Sequence, residues 1–385
     1  MPITFADPVV VDTIELRTIR LPLIEPFETS FGRLTDRRTL IVRVTGDGAA
    51  GWGEAAALDT PLYTAETIET ERHVIQAFLG PALLGRRLAG LDDVAAAFAP
   101  VRGHYMAKAG LELAVADLAT RRAGHPLAAL LGGTRNRVEV GVSLGLQPTA
   151  MHLVDAVARH VDLGYRRIKL KIKPGRDIDL VTAVRARFPD TLLSVDANAA
   201  YTLADADHLR RLDDFGLLMI EQPLDPDDLI DHAALQRTLR TPLCLDESIS
   251  RLRHAEQALA LGSCRIVNMK VGRVGGYASA LAIHALCRAH GVQVWCGGML
   301  ETGIGRAHNL AIASLPGFTL PGDISASVRY YQRDVLTTPI CLSPDGTIPV
   351  PDGPGIGVDV DLDYLEARTE SVDRLVREGA PLAHA

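Results

Sequence analysis

Five ionisable residues recur at nearly even intervals through the middle of the chain. They are Lys171, Asp196, Glu221, Asp246 and Lys270, spaced 25, 25, 25 and 24 residues apart. Each closes a short apolar run: RIKLKI, LLSVDAN, LLMIEQP, LCLDES and RIVNMK. Three neighbouring carboxylates inside a protein repel one another and are costly to bury without a counter-charge. A hard dication removes that cost, and all-oxygen ligation suits Mg²⁺ or Mn²⁺. No His or Cys occupies a ladder position, which disfavours zinc. The two lysines flank the acids as proton-transfer groups. A like charge at Lys169 and a dication nearby would disfavour the ammonium form of Lys171 and make it a usable base near neutral pH. Two bases on opposite faces of one carbon can exchange its proton with inversion. The charge that develops when a carboxylate loses its α-proton then needs electrostatic support at the same place.

Such residues need elements that aim them together. Side chains alternate faces along a strand. In RIKLKI, Ile168, Leu170 and Ile172 share one face, and Lys169 and Lys171 share the other. Asp196 and Asn198 share a face opposite Leu193 and Val195, and Asn268 and Lys270 oppose Val267 and Met269. Eight apolar runs, from VEVGVSL through VQVWCGG to FTLPGD, alternate with helical stretches between about 138 and 323, as parallel βαβ units do. A closed α/β barrel fits that count, with its active site at the C-terminal strand ends where the ladder falls. A doubly wound open sheet is the alternative, but it does not call for converging charges. By the same parity and position, Ser143, Asn198, Asp323 and Ser325 are placed at the barrel mouth. GRVGG at 272–276 lacks the full phosphate-loop pattern and reads as loop geometry.

The flanking segments differ in texture. Residues 11–21 and 38–45 alternate as half-buried strands, and GDG at 46–48 suits a tight turn. Residues 65–122 are Ala- and Leu-rich with helical spacing, stopped by Gly124 and Pro126. The expected organisation is an α+β cap over 1–130, a barrel over 131–330, and a segment 331–385 that returns to the cap. That last segment reads as Pro- and Gly-rich loops followed by a polar helix.

Composition narrows the function classes. The chain has 385 residues, 47% of them hydrophobic, so it can bury a large core. A net charge of −7 with no basic run gives nucleic-acid binding no support. No run of 18 apolar residues suggests a membrane partner. The opening MPITFADPVVVDTIELR lacks a basic region ahead of an apolar block, so a cytoplasmic location is expected. The five cysteines form no CxxC pair and read as reduced thiols.

Taken together, RIKLKIKPG, VDAN, IEQPL, CLDES, NMKVGRVGG, VWCGGMLETGIGRAHN and LPGDISAS resemble the N-acylamino acid racemase/o-succinylbenzoate synthase family of the enolase superfamily. Within that superfamily the KxK motif Lys169-Leu170-Lys171 and the lone Lys270 are similar to the muconate-lactonizing subgroup. The resemblance covers nearly the whole chain, including ETSFG at 28–32. It implies a modified (β/α)₇β TIM-type barrel under an α+β capping domain. It implies one Mg²⁺ or Mn²⁺ at Asp196, Glu221 and Asp246, with Lys171 and Lys270 as acid/base residues. A cap loop over about 22–33 would close on the substrate, with Phe27 and Phe31 as apolar wall. A matching Arg is linked to racemization in the family, which gives Arg273 its supporting role. A small-molecule carboxylate substrate and a homo-oligomer follow from the same resemblance.

Two activities fit this implied site. One is racemization of N-acyl, often N-succinyl, amino acids by both lysines. The other is o-succinylbenzoate synthesis, a syn dehydration in menaquinone biosynthesis. There Lys171 would act as base and acid, and Lys270 would stay cationic. Dipeptide epimerization and muconate cycloisomerization are more distant, since GDISAS lacks the DxD of the epimerases. A catalytically silent scaffold would have lost a ladder member, and none is lost.

Overall fold

A computed structural model describes residues 3–379. Residues 1–2 and 380–385, at the ends of the segments 1–130 and 331–385, lie outside the described residues.

The cap opens with Thr4–Val10 (β1), followed by three long strands, Thr13–Glu28 (β2), Arg33–Gly46 (β3) and Ala49–Ala55 (β4). The β3–β4 turn places Asp47 and Gly48 both at positive φ, 52° and 79°. Two such residues in sequence fit the twist of a two-residue hairpin. Helix Tyr105–Ala123 lies directly on β4 and is buried over most of its length. Gly51 and Gly53 make this possible: a Cβ there would stand 2.2 Å from the carbonyl oxygens of Ala114 and Gly110. The helix ends at Gly124, φ 70°, in the left-handed cap that glycine adopts without strain.

The helical reading of 65–122 needs one correction. Arg87–Gly90 (β5) interrupts it and pairs antiparallel with β1. Gly85, φ 73°, ends the preceding helical stretch and turns the chain out of it.

The barrel begins by splitting one expected strand in two. Arg137–Glu139 (β6) turns outward, and Gly141–Leu144 (β7) opens the parallel sheet. Then follow Arg167–Lys171 (β8), Leu192–Asp196 (β9), Ile220–Glu221 (β10), Leu243–Leu245 (β11), Ile266–Met269 (β12) and Gln293–Cys296 (β13). They pair in sequence order as a seven-stranded sheet. The eighth run, FTLPGD, is not a regular strand. It forms single bridges, Phe318 with Val294 and Gly322 with Val140. Pro321 has no N–H to donate, which limits ladder pairing there. The segment still links the two sheet edges: Thr319 N–H donates to Val294 O, and Gly141 N–H donates to Gly322 O.

The tail contributes Thr347–Pro349 (β14), which pairs with β6, and then helix Leu362–Arg368. The expected polar helix stops there. Thr369–Val376 (β15) continues as a strand and adds antiparallel to the edge of β2, giving the sheet order β15-β2-β3-β4. Its exposure alternates residue by residue, as an edge strand over a core does. One apolar core runs through cap, barrel and tail. Among the described residues, no helix is long and apolar enough to cross a membrane.

Candidate active site

Register carries the ladder into one place. Lys171 lies opposite Asp196, and Asp196 lies opposite Glu221, on β8, β9 and β10. Asp246 and Lys270 follow the last residues of β11 and β12. Ile168, Leu170 and Ile172 are fully buried toward the helices, so the charged side chains occupy the inner face. Asp196, Glu221 and Asp246 are each 1% exposed or less.

Every acid there meets a cation. Lys171 Nζ donates to Asp196 Oδ2 at 2.7 Å and to Asn198 Oδ1 at 2.5 Å. Lys169 Nζ bridges Asp323 at 2.7 Å, Glu221 at 2.9 Å and Asp196 at 3.2 Å. It is therefore not a free like charge beside Lys171, as the sequence reading had it; three carboxylates compensate it. Burial alone would raise the Asp196 pKa, but the charges of Lys171 and Lys169 outweigh it and hold the group below its ordinary value. Burial opposes the charge on Lys169 too, and Asp323, Glu221 and Asp196 reverse that and raise its pKa.

On the other side of the mouth, Lys270 Nζ donates to Tyr63 Oη at 2.8 Å and to Asp246 Oδ2 at 2.9 Å. Burial would lower the Lys270 pKa, but Tyr63 and Glu247 outweigh it and raise it. Arg273 does not touch Lys270 directly. It donates to Asp246, to Tyr63 Oη at 3.0 Å and to the Ile249 and Asn268 carbonyls at 2.9 and 2.6 Å. Its influence on Lys270 runs through the two groups they share.

Tyr63 is the residue the sequence reading missed. It comes from the cap loop after β4, and its hydroxyl joins Lys270, Arg273 and Asp246. Nothing periodic in LDTPLYTAET marks it. Glu247, next to a ladder member, was also passed over. Its Oε1 accepts from Asn198 Nδ2 at 2.9 Å and its Oε2 has no partner. Burial, with the charge of Asp196 adding to it, pushes its pKa up to about 7.

A cavity of about 270 Å³ opens over this network between cap and barrel. Lys171 and Lys270 both line it, as do Ser143, Asn198, Phe27 and Phe31. Phe27 packs edge-on against Tyr330 at 6.1 Å, and Phe31 lies 6.4 Å from Tyr63. The 22–33 stretch is less of a loop than expected. Strand pairing breaks between Pro22 and Phe27, resumes at Phe27–Leu34, and leaves only Thr29–Gly32 as the turn. Ser30 at its tip donates to Asn198 O across the mouth. Asp323 lines the cavity but is held by Arg167 and Lys169. Burial would raise its pKa, and those two charges instead bring it down to about 2. Ser325 is not part of the cavity lining. It is buried behind it, with its carbonyl accepting from Arg306.

The donor chemistry suits a hard dication. Three carboxylates stand on or just after the consecutive strands β9, β10 and β11, and the adjacent Glu247 carries an unpartnered buried oxygen. The acids are at present paired with lysine and arginine donors. Among the described residues no group of three His, Cys, Asp or Glu stands together as a ready ligand set. Binding an ion would therefore exchange ammonium partners for it.

Comparison with known proteins agrees with this layout. Residues 13–132 match the mandelate racemase/muconate lactonizing enzyme N-terminal domain, and 152–364 match the enolase C-terminal domain-like family. The chain is 51% identical over 361 residues to an o-succinylbenzoate synthase of Geobacillus kaustophilus, covering 94% of this chain and 96% of that protein. It is also 51% identical over 346 residues to an N-succinylamino acid racemase of Amycolatopsis sp, covering 90% and 94%. A crystal structure of an enolase-superfamily member from Listeria innocua superposes with a TM-score of 0.92 at 42% identity, covering 96% and 99%.

Proposed function

The chain belongs to the enolase superfamily, in the group of o-succinylbenzoate synthases and N-succinylamino acid racemases, and from that premise we propose that it racemizes N-succinyl amino acids by two-lysine proton transfer at the α-carbon. One observation carries the reading. Lys171 and Lys270 line the same cavity from β8 and the end of β12, with three acid-bearing strands between them. A substrate α-carbon held over those acids is flanked by an amine on each face. Lys171, oriented by Asp196 and Asn198, takes or returns the proton on one face. Lys270, oriented by Tyr63 and Asp246, does so on the other. The Phe27–Phe31 wall limits water access from the cap side and receives the amino-acid side chain.

Enolase-superfamily enzymes are generally metal-dependent. Asp196, Glu221 and Asp246 would hold Mg²⁺ or Mn²⁺ here. When bound, the ion supplies Lewis-acid stabilisation of charge on the substrate carboxylate. The five cysteines are free, which supports a reducing, cytoplasmic setting. A closed homo-oligomer is part of the same proposal.

A second reading, o-succinylbenzoate synthesis, is favoured by relatives of that name at 46–51% identity. It asks less of Lys270, which would remain a cation. Kinetics on N-succinyl amino acids and on the o-succinylbenzoate precursor, with one preparation, rank the two. Lys270→Arg keeps the charge and removes the base. Retained dehydration with lost racemization supports the assigned roles; equal loss of both contradicts them. A wild-type chain that exchanges no α-proton of any N-acyl amino acid rules out the racemase reading.

A further inference from the structure

The two edges of the cap sheet are finished differently. At one edge, side chains close off β4: Trp52 N donates to Asp117, and His308 Nε2 donates to Trp52 O, each at 2.8 Å. At the other edge stands β15. Among the described residues, no backbone group of Glu370–Val376 bonds to any element but β2. An open edge is a template for another strand, and native chains blunt it with prolines, bulges or very short strands. β15 is eight residues long and has no proline, and its one register shift lies at its start, between Thr369 and Ser371.

The side chains on this edge match a second copy of themselves. Glu370, Val372, Arg374 and Val376 are the exposed positions, and Val372 is 40% exposed. A two-fold axis through Val372, normal to the sheet, sets the strand antiparallel to its copy. Val372 then meets Val372, and Glu370 meets Arg374 of the second copy on each side of the axis. Apolar pairs and opposite charges directly across antiparallel strands are favourable, and like charges are not. The adjacent registers fail on that ground. An axis through Asp373 sets that acid against itself, and an axis through Arg374 sets that cation against itself. Arg374 also has donors to spare. Among the described residues only its Nε is engaged, with Glu15 Oε2 at 2.8 Å.

We propose that β15 is the docking edge for a second copy of this chain, joined two-fold through Val372, so that two four-stranded cap sheets become one of eight strands. A self-complementary two-fold contact is the commonest way for a chain to form a closed oligomer. The inference rests on the homo-oligomer proposed above and supplies its interface. It does not depend on the chemistry at the barrel mouth.

The test traps the contact at its axis. Val372→Cys is made in a Cys341→Ser background, which removes the exposed native thiol. The purified protein is oxidised with diamide and run on a non-reducing gel. Most of the chain should appear as a covalent dimer, because directly opposed Cβ atoms lie ~5 Å apart. Val376→Cys in the same background is the control. The axis leaves its two copies eight residues, about 26 Å, apart, and it should stay monomeric on the gel. In Val372→Lys, which puts like charges on the axis, the mass in solution by light scattering should fall to half or less of the wild-type value. Arg374→Glu should do the same, and adding Glu370→Arg to it should restore the mass. A monomeric wild type, an unchanged mass in Val372→Lys, or equal trapping of the two cysteines overturns the interface. A monomeric wild type that still exchanges α-protons overturns the interface alone and leaves the racemase reading intact. A chain that is trapped through Val372→Cys but exchanges no α-proton supports the interface and overturns the racemase reading.

Discussion

Buried carboxylates occur in two regions of this molecule, and those paired with side-chain cations behave oppositely to those held mainly by the backbone. At the barrel mouth the ladder acids and Asp323 face lysines and arginines, while Glu247 beside them accepts only from Asn198. Asp196 and Asp323 are held below their ordinary pKa values because neighbouring cations outweigh burial. At the seam between cap and barrel the partners are mostly backbone N–H groups. Glu54 accepts from Thr302 N and Gly305 N, and Glu112 accepts from Ala278 N. Asp117 accepts from Trp52 N and Ile356 N, with Arg121 as its one cation. There burial wins, and all three pKa values are raised. Backbone donors orient a carboxylate but supply little net charge to keep it ionised. The mouth holds acids whose charge is met by side-chain cations. The seam holds acids that fasten two units together.

The sharpest way to break this contrast is to neutralise one acid in each region. Glu221→Gln at the mouth lowers catalysis on the order of 10³-fold and weakens Mn²⁺ binding measured by calorimetry with the metal alone. Chelation of the wild type is expected to abolish activity, with Mg²⁺ or Mn²⁺ restoring it. Full activity of the chelated protein would contradict the role given to these acids. Glu112→Gln at the seam leaves Mn²⁺ binding in place, because its carboxyl touches no group of the mouth.

Tyr63→Phe has an intermediate effect, because the residue belongs to the cap yet serves the mouth. Removing its hydroxyl takes a hydrogen bond from Lys270, Arg273 and Asp246 at once. We expect kcat to fall ~10-fold, with a displaced alkaline limb in the pH–rate profile. A change confined to thermal stability would make Tyr63 a packing residue.

The smallest effect is on stability. Burial pushes the Glu112 carboxyl up to about 8, from an ordinary 4.5. Between those values the folded chain holds a proton that the unfolded chain has lost. Stability therefore falls as pH rises through that window. Glu112→Gln removes this contribution, so its melting temperature drops less than the wild type's between pH 6 and pH 9, by roughly 2 °C or more. Equal drops would show that the seam does not keep Glu112 protonated.

The same contrast explains what was legible in the sequence. The mouth residues sit one per βα repeat, so a spacing of about 25 residues and strand parity expose them. Tyr63 arrives from a cap loop and does not obey that repeat. The seam acids are invisible because their partners are backbone groups far away in the chain, such as Thr302 for Glu54. The fold misreadings have local causes too. FTLPGD looked like an eighth strand by its apolar content, but Pro321 and Gly322 reduce it to bridges. The final strand was taken as helix because TESVDRLV mixes polar and apolar residues on both faces and so lacks a clean strand alternation.

The central claim is that Lys171 and Lys270 work on opposite faces of one α-carbon. The most direct measurement is deuterium uptake at that carbon in D₂O, from each enantiomer of an N-succinyl amino acid, in wild type, Lys171→Ala and Lys270→Ala. The account predicts that the wild type exchanges both enantiomers and that both variants lose racemization. Each variant should still exchange one enantiomer, and the surviving enantiomer should differ between them. Racemization retained by either variant, or survival of the same enantiomer in both, would contradict it.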